Sequence, residues 1–211
     1  GRYHDIDASV HSFPPCRSSL VICEKVLGPE HPNTATSLGG LASLYIGMGA
    51  FDKAEPLYRR SLAIYEKALG PEHPDTATSV NNMAGLYYSM GSYDKAEPFL
   101  RRSLAIYEKI LGPEHPTTAT SLSNLALLYA AQGRSGESLT LMERAQEIDR
   151  RQIDHILVFA PETQQTQFLA TREHKFFAYI SLIRQHFPDN PKALRNALNV
   201  WLARKGILLE A

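Results

Sequence analysis

The sequence predicts an all-α protein, a right-handed α-solenoid of stacked helical hairpins. Three observations carry that expectation. The hexapeptide Leu-Gly-Pro-Glu-His-Pro begins at Leu27, Leu69 and Leu111, so the chain repeats itself every 42 residues. Residues 31–72 and 73–114 are identical at 29 of those 42 positions, which means duplication and not shared composition. Inside each repeat, apolar residues recur at spacings of three and four, the mark of one helical face.

Each repeat reads as two helices. From Thr34 to Met48, Leu38, Leu41, Ala42 and Tyr45 lie on one face, and Gly49 supplies a turn because glycine adopts left-handed angles freely. A second helix is expected after Asp52 as its N-cap, with Ala54, Leu57, Tyr58, Ser61, Leu62 and Tyr65 inward. Pro56 is expected near its first turn, where a missing N–H costs little. Gly70-Pro71 ends the unit, and His73-Pro74 restrains the approach to the next helix.

The recurring spacing, apolar-x2-Leu-small-x2-Tyr followed by Ala-x3-large, has the tetratricopeptide form. In the first unit it is Leu38, Leu41, Ala42, Tyr45, Ala54, Tyr58 and Ser61. The second unit has Val80, Met83, Ala84, Tyr87, Ala96, Leu100 and Ser103. The third has Leu122, Leu125, Ala126, Tyr129, Ser138, Met142 and Ala145. About three such units suffice for a stable stack. The period exceeds the usual ~34; running the second helix on through Ala63-Ile64-Tyr65-Glu66-Lys67 accounts for most of the excess. The unit Thr-Ala-Thr-Ser…Ala-x-Leu-Tyr…Asp-Lys-Ala-Glu-Pro…Arg-Arg-Ser-Leu-Ala-Ile-Tyr-Glu-Lys resembles the kinesin-light-chain type of tetratricopeptide repeat over roughly residues 17–148.

The ends depart from the repeat. Residues 1–29 are expected to be a partial repeat: Arg17, Ser19, Leu20, Ile22, Glu24 and Lys25 align with a second helix, while His11-Ser12-Phe13-Pro14-Pro15 is unsuited to a helix interior. Residues 30–150 hold three units, at about 34–70, 76–112 and 118–150. Residues 151–211 are expected to be a helical extension, carrying apolar positions from Ile153 to Phe159 and again from Phe168 to Ile183. Asn190 is expected to cap a last helix with Pro191 at its first position. Asp189-Asn190-Pro191, followed by Asn199 through Glu210, resembles the segment that joins bacterial repeats to a CHAT domain, a caspase-like peptidase module. That resemblance implies a catalytic domain following Ala211, with this chain as its regulatory or substrate-positioning arm. Because the chain begins at Gly1, it is expected to be a fragment.

Composition narrows the function classes. Of 211 residues, 44% are hydrophobic, and 22 basic residues balance 22 acidic ones. No summed positive field attracts nucleic acid or an anionic membrane, and no apolar run approaches a membrane span. The balance is a cancellation: residues 1–150 hold 14 Lys/Arg against 17 Asp/Glu, and residues 151–211 hold 8 against 5. Two cysteines are too few for a disulfide framework, so a reduced, cytoplasmic setting is expected.

No catalytic residue, cofactor or metal is expected. His31, His73 and His115 occupy equivalent repeat positions, but packed helices about 10 Å apart do not bring them to one ion, whose ligands converge at about 2 Å. They read as a copied loop residue. Cys23 stands in the slot of Tyr65 and Tyr107 and reads as a small core residue; neither it nor Cys16 lies in a nucleophile motif. Arg59-Arg60 and Arg101-Arg102 have Glu55, Glu66, Glu97 and Glu108 as neighbours, so surface pairing is their expected role.

Binding is the expected function, with a protein or peptide partner in the concave groove that first helices line. The groove positions are Thr36, Gly39, Gly40, Ser43 and Ile46 in the first unit, and Thr78, Asn81, Asn82, Gly85 and Tyr88 in the second. In the third they are Thr120, Ser123, Asn124 and Leu127. A side-chain amide both donates and accepts, so Asn82 and Asn124 suit clamping of an extended backbone. The kinesin-light-chain resemblance implies the same role, and Gly40 stands where the first unit lacks that asparagine. Self-association through an incomplete terminal unit is a further expectation.

Overall fold

The computed structural model describes residues 14–159 and, beyond them, positions 180, 181, 183, 184, 190, 191, 194 and 195. Seven helices run through the first of these stretches: α1 Pro14–Val26, α2 Pro32–Gly47, α3 Phe51–Leu69, α4 Pro74–Ser89, α5 Tyr93–Leu111, α6 Pro116–Ala131 and α7 Ser135–Phe159. The helices α2–α3, α4–α5 and α6–α7 form three helical hairpins, and α1 precedes the first of them. No strand occurs among the described residues. The fold class is an all-α helical-repeat solenoid. By compactness the chain divides into Gly1–Ile110 and Leu111–Ala211.

Four of the five residues of the recurring Gly-Pro-Glu-His-Pro loop have a structural task. Gly70 sits at φ 93°, ψ 162°, a conformation essentially closed to residues with a Cβ. Glu72 pairs with Lys109 at 2.5 Å, as Glu30 does with Lys67. His31, His73 and His115 are N-caps: each imidazole Nδ1 accepts the backbone N–H two residues on, at 3.1 Å. Proline then occupies the first helical position, where its absent N–H would have been an orphan anyway. Behind the cap, buried Thr34, Thr76 and Thr118 donate to the carbonyls of Gly28, Gly70 and Gly112 at 2.8–2.9 Å. The repeated histidines are therefore helix caps, each serving its own helix.

The hairpin cores follow the motif positions. Leu38, Ala42, Ala54, Tyr58 and Ser61 are buried in the first hairpin, as are Val80, Met83, Ala84, Tyr87, Ala96, Leu100 and Ser103 in the second. The third buries Leu122, Leu125, Ala126, Tyr129, Ser138, Met142 and Ala145. Small residues at the helix crossings bring the backbones close enough for direct bonds: Ser61 Oγ donates to the Ala35 carbonyl at 2.8 Å, and Ser138 Oγ to Ala126 at 2.7 Å. Each fully buried large aliphatic contributes about 1.5–3 kcal/mol.

Two expectations about the second helices need correction. Helix α3 begins at Phe51 with Ala50 as N-cap, so Asp52 lies in the first turn and is not the cap. The Ala50 carbonyl already accepts from Lys53 and Ala54 N–H groups at 3.1 and 3.2 Å, which sets the start two residues earlier. Asp52 instead places its carboxylate in the first turn, where the dipole favours it. Pro56 consequently stands inside the helix; it lies on the exposed side, where water can solvate the carbonyl it leaves unpaired.

At the chain's ends, α1 opens on Pro14-Pro15, where proline is tolerated. Val21, Ile22 and Val26 on this helix are 43%, 59% and 74% exposed, although the repeat equivalents of Ile22, Ile64 and Ile106, are buried. Helix α7 continues without a break through Arg150 to Phe159. In the second compact unit, Ile183 is 1% exposed and packs with Ala126, Ala130 and Met142. The Leu194 N–H bonds to the Asn190 carbonyl at 3.1 Å, and Pro191 is helical, as a capped helix start requires. The rest of the tail expectations, most of the CHAT-like segment among them, lie outside the described residues.

Candidate functional site

Helices α2 and α4 flank an open cleft of about 240 Å³ lined by Ser43, Ile46, Tyr58, Asn81, Asn82, Gly85 and Ser89. Four of these, Ser43, Asn81, Asn82 and Ser89, bear polar side chains on first helices; Tyr58 rises from α3. The Tyr58 phenol and Ser43 hydroxyl hydrogen-bond at 2.7 Å. Ser43 also returns a bond to the Gly39 carbonyl at 3.1 Å, and Ser89 does the same to Gly85 at 2.9 Å. The pair is particular to the first hairpin, because Tyr58 is replaced by Leu100 and Met142 in the others and Ser43 by Gly85 and Leu127.

Of the expected groove residues, Ser43, Ile46, Asn81, Asn82 and Gly85 line this cleft together. The Asn82 amide is half-buried and makes no hydrogen bond with another described residue. Thr36 and Thr78 are engaged within their own hairpins. The Thr36 hydroxyl meets the Tyr65 phenol at 2.7 Å, and that of Thr78 meets Tyr107 at 2.8 Å. Tyr88 packs against Tyr93 with the rings tilted by 48° and their centroids 5.4 Å apart, and burial followed by the nearby Tyr93 raises its phenol above the ordinary tyrosine value. In the second compact unit, Ser123 bonds back to the Ala119 carbonyl at 2.9 Å. Asn124 is half-buried on the same helix, while Leu127 packs against the Ala126–Met142–Ile183 cluster and serves that core.

The sequence reading missed Ser89 and the contribution of Tyr58 from α3, and it missed the distribution of charge. Helices α2 and α6 contain no Asp, Glu, Lys or Arg, and α4 contains only Asp75, in its first turn. The second helices carry the charges and pair them. Arg59 meets Glu55 at 2.7 Å and Arg101 meets Glu97 at 2.8 Å, four residues apart. Arg60 and Arg102 reach one hairpin back, to Glu24 and Glu66, each at 2.7 Å. Arg59 and Glu55 also hold Tyr87: Arg59 donates to its phenol at 2.9 Å, and the phenol donates to Glu55 at 3.0 Å. The Arg59 guanidinium, then the Tyr87 hydroxyl, keeps the Glu55 carboxyl below the ordinary range. The paired arginines thus belong to surface ion pairs, as expected.

No group of three His, Cys, Asp or Glu side chains able to hold a metal occurs among the described residues, and none of their helices is long and apolar enough to cross a membrane. Cys23 is a free, half-buried thiol that accepts from Ser37 Oγ at 3.4 Å.

Stacked helical hairpins with a shared cleft on their first helices define a helical-repeat binding protein. The family model described as tetratricopeptide repeat matches residues 16–67, 44–109 and 75–151, and the chain belongs to that family. No curated protein matches. Among solved structures, the chain is similar to BtubC (BKLC) from P. vanneervenii, with TM-score 0.60 and 26% identity, covering 65% of this chain and 55% of that one. The chain thus spans about half of BtubC. It is also similar to the nearly identical TPR-like repeats of a Podosopora anserina kinesin light chain, with TM-score 0.63 and 25% identity, covering 96% and 91%. A point-substituted form of the latter matches at 24% identity and TM-score 0.63, over 97% of this chain and 92% of that one, and speaks for the fold alone. The repeats are of the kinesin-light-chain-like type, and such repeats serve generally as protein-interaction scaffolds.

Proposed function

We propose that the chain binds an extended peptide segment of a partner protein along the first helices α2 and α4, with the cleft between them as the principal contact. The observation that supports this most is the Asn82 amide, half-buried beside Asn81, Ser43 and Tyr58 in an open cleft. A peptide backbone presents alternating donors and acceptors, and a primary amide answers both. Exclusion of water from such a pair strengthens it. Nothing in this arrangement calls for bond-making chemistry; its groups are neutral donors, acceptors and an aliphatic surface.

The test is Asn82→Ala against an immobilised array of random 12-residue peptides. The expected result is at least a ~10-fold loss of affinity for the peptides that the unaltered protein retains, which is about 1.4 kcal/mol, with a thermal midpoint within about 1 °C. Equal retention by the variant overturns the groove assignment.

A further inference from the structure

We infer that the segment taken by the α2–α4 cleft is electrically neutral, recognised through its backbone amides and small or aliphatic side chains. This rests on the groove reading above. None of the seven residues that line the cleft is ionisable near neutral pH. The two helices that flank it contribute a single charge, Asp75, at the far first turn of α4. A charged ligand group entering the cleft would lose water without meeting a counter-ion, which is unfavourable. The cations nearest in sequence are already engaged elsewhere, Arg59 with Glu55 and Arg60 with Glu24, so recruiting either costs an existing pair.

The cleft's contents match a neutral chain positively. The Asn82 amide and the Tyr58–Ser43 hydroxyl pair suit peptide N–H and C=O groups. Ile46 offers an aliphatic wall, and a Cβ added at Gly85 would meet nothing of the protein within 4 Å, so a ligand backbone can approach α4 closely. Specificity then comes partly from exclusion: charged segments are rejected because the groove has nothing to pair with them.

The experiment uses two matched pools of fluorescein-labelled 12-residue peptides. One contains Ala, Ser, Thr, Gln, Leu and Ile; the other carries Asp or Glu at every third position. Anisotropy titrations are run at about 50 and about 500 mM NaCl, which shortens the screening length roughly threefold. The neutral pool is expected to bind at least ~10-fold tighter, with less than a ~2-fold change between salts, and to lose affinity in Asn82→Ala. The variant Gly85→Lys, whose side chain projects into open space, is expected to gain affinity for the acidic pool and become salt-sensitive. Tighter binding of the acidic pool by the unaltered protein, falling steeply with salt, overturns the inference and leaves the groove reading standing. Binding of either pool that ignores Asn82→Ala, or no binding at all, overturns the groove reading and the inference with it.

Discussion

The first and second helices of each hairpin solve different problems with the same repeat. First helices are short, nearly uncharged and heavily buried: α4 alone buries Val80, Met83, Ala84, Leu86 and Tyr87. Second helices are longer, 19 residues in α3 and α5 against 16 in α2, α4 and α6. They show charge on their outer face and fix their place with ion pairs to neighbouring elements. A first helix touches protein on several sides, so a charge there would need a buried partner. A second helix keeps one face in water and can hold Arg, Lys and Glu at little cost. The exposed remainder of a first helix is then neutral, and that remainder is where the cleft lies.

The sharpest way to break this contrast is to cut into the first-helix core. Leu38→Ala removes a side chain with no exposed surface, packed with Ala35 and Ile64, and is expected to cost about 2–5 kcal/mol in urea unfolding. A loss no larger than that of a surface substitution would mean the first helices are not the core. Next in size is the cap. His73→Ala leaves the Asp75 N–H without its acceptor, and a loss of roughly 1 kcal/mol is expected, as for other N-caps. Replacement with Asn, which also accepts through its side chain, should restore most of it; equal damage from both changes would assign His73 another role.

The smallest effect belongs to the second helices. Hydrogen bonds from Arg150, then Arg151, lower the Glu147 carboxyl to about 2. Its native form releases the proton at lower pH than the unfolded chain does, so the stabilisation is fully present above about 4.5 and fades as pH falls toward about 2. The pair is about half exposed, so solvent screens it and Glu147→Gln should lose under about 1 kcal/mol at neutral pH. The difference from the parent protein should shrink in acid and in high salt, as a paired pH series of denaturation midpoints would show. A difference that grows in acid would reverse the assignment.

Much of this was legible in the residues. The helix periodicity, the packing positions and the serine and alanine crossings all follow from a pattern written three times over. The histidines show where reading stopped. Their recurrence was visible, and a metal site was already disfavoured by repeat spacing, but capping depends on an imidazole rotamer and a backbone angle that no spacing encodes. The start of α3 was misplaced for a related reason: Asp52 is a good cap by type, yet the Ala50 carbonyl geometry decides the matter. Thr36 and Thr78 lie on the predicted face, but the tyrosines 29 residues later engage their hydroxyls. Asn82 remained in the cleft because no such partner reaches it.

By itself the sequence determined the repeat, its helical hairpins and the class of protein, since duplicated units with one apolar stripe each can bury it only by stacking. The tertiary structure decided which polar side chains are engaged internally and which line the cleft. It also placed the charged side chains on the outer faces of the second helices and left the exposed strip of the first helices neutral. Those outcomes turn on distances of a few ångströms between residues far apart in the chain, over which a linear pattern has no hold.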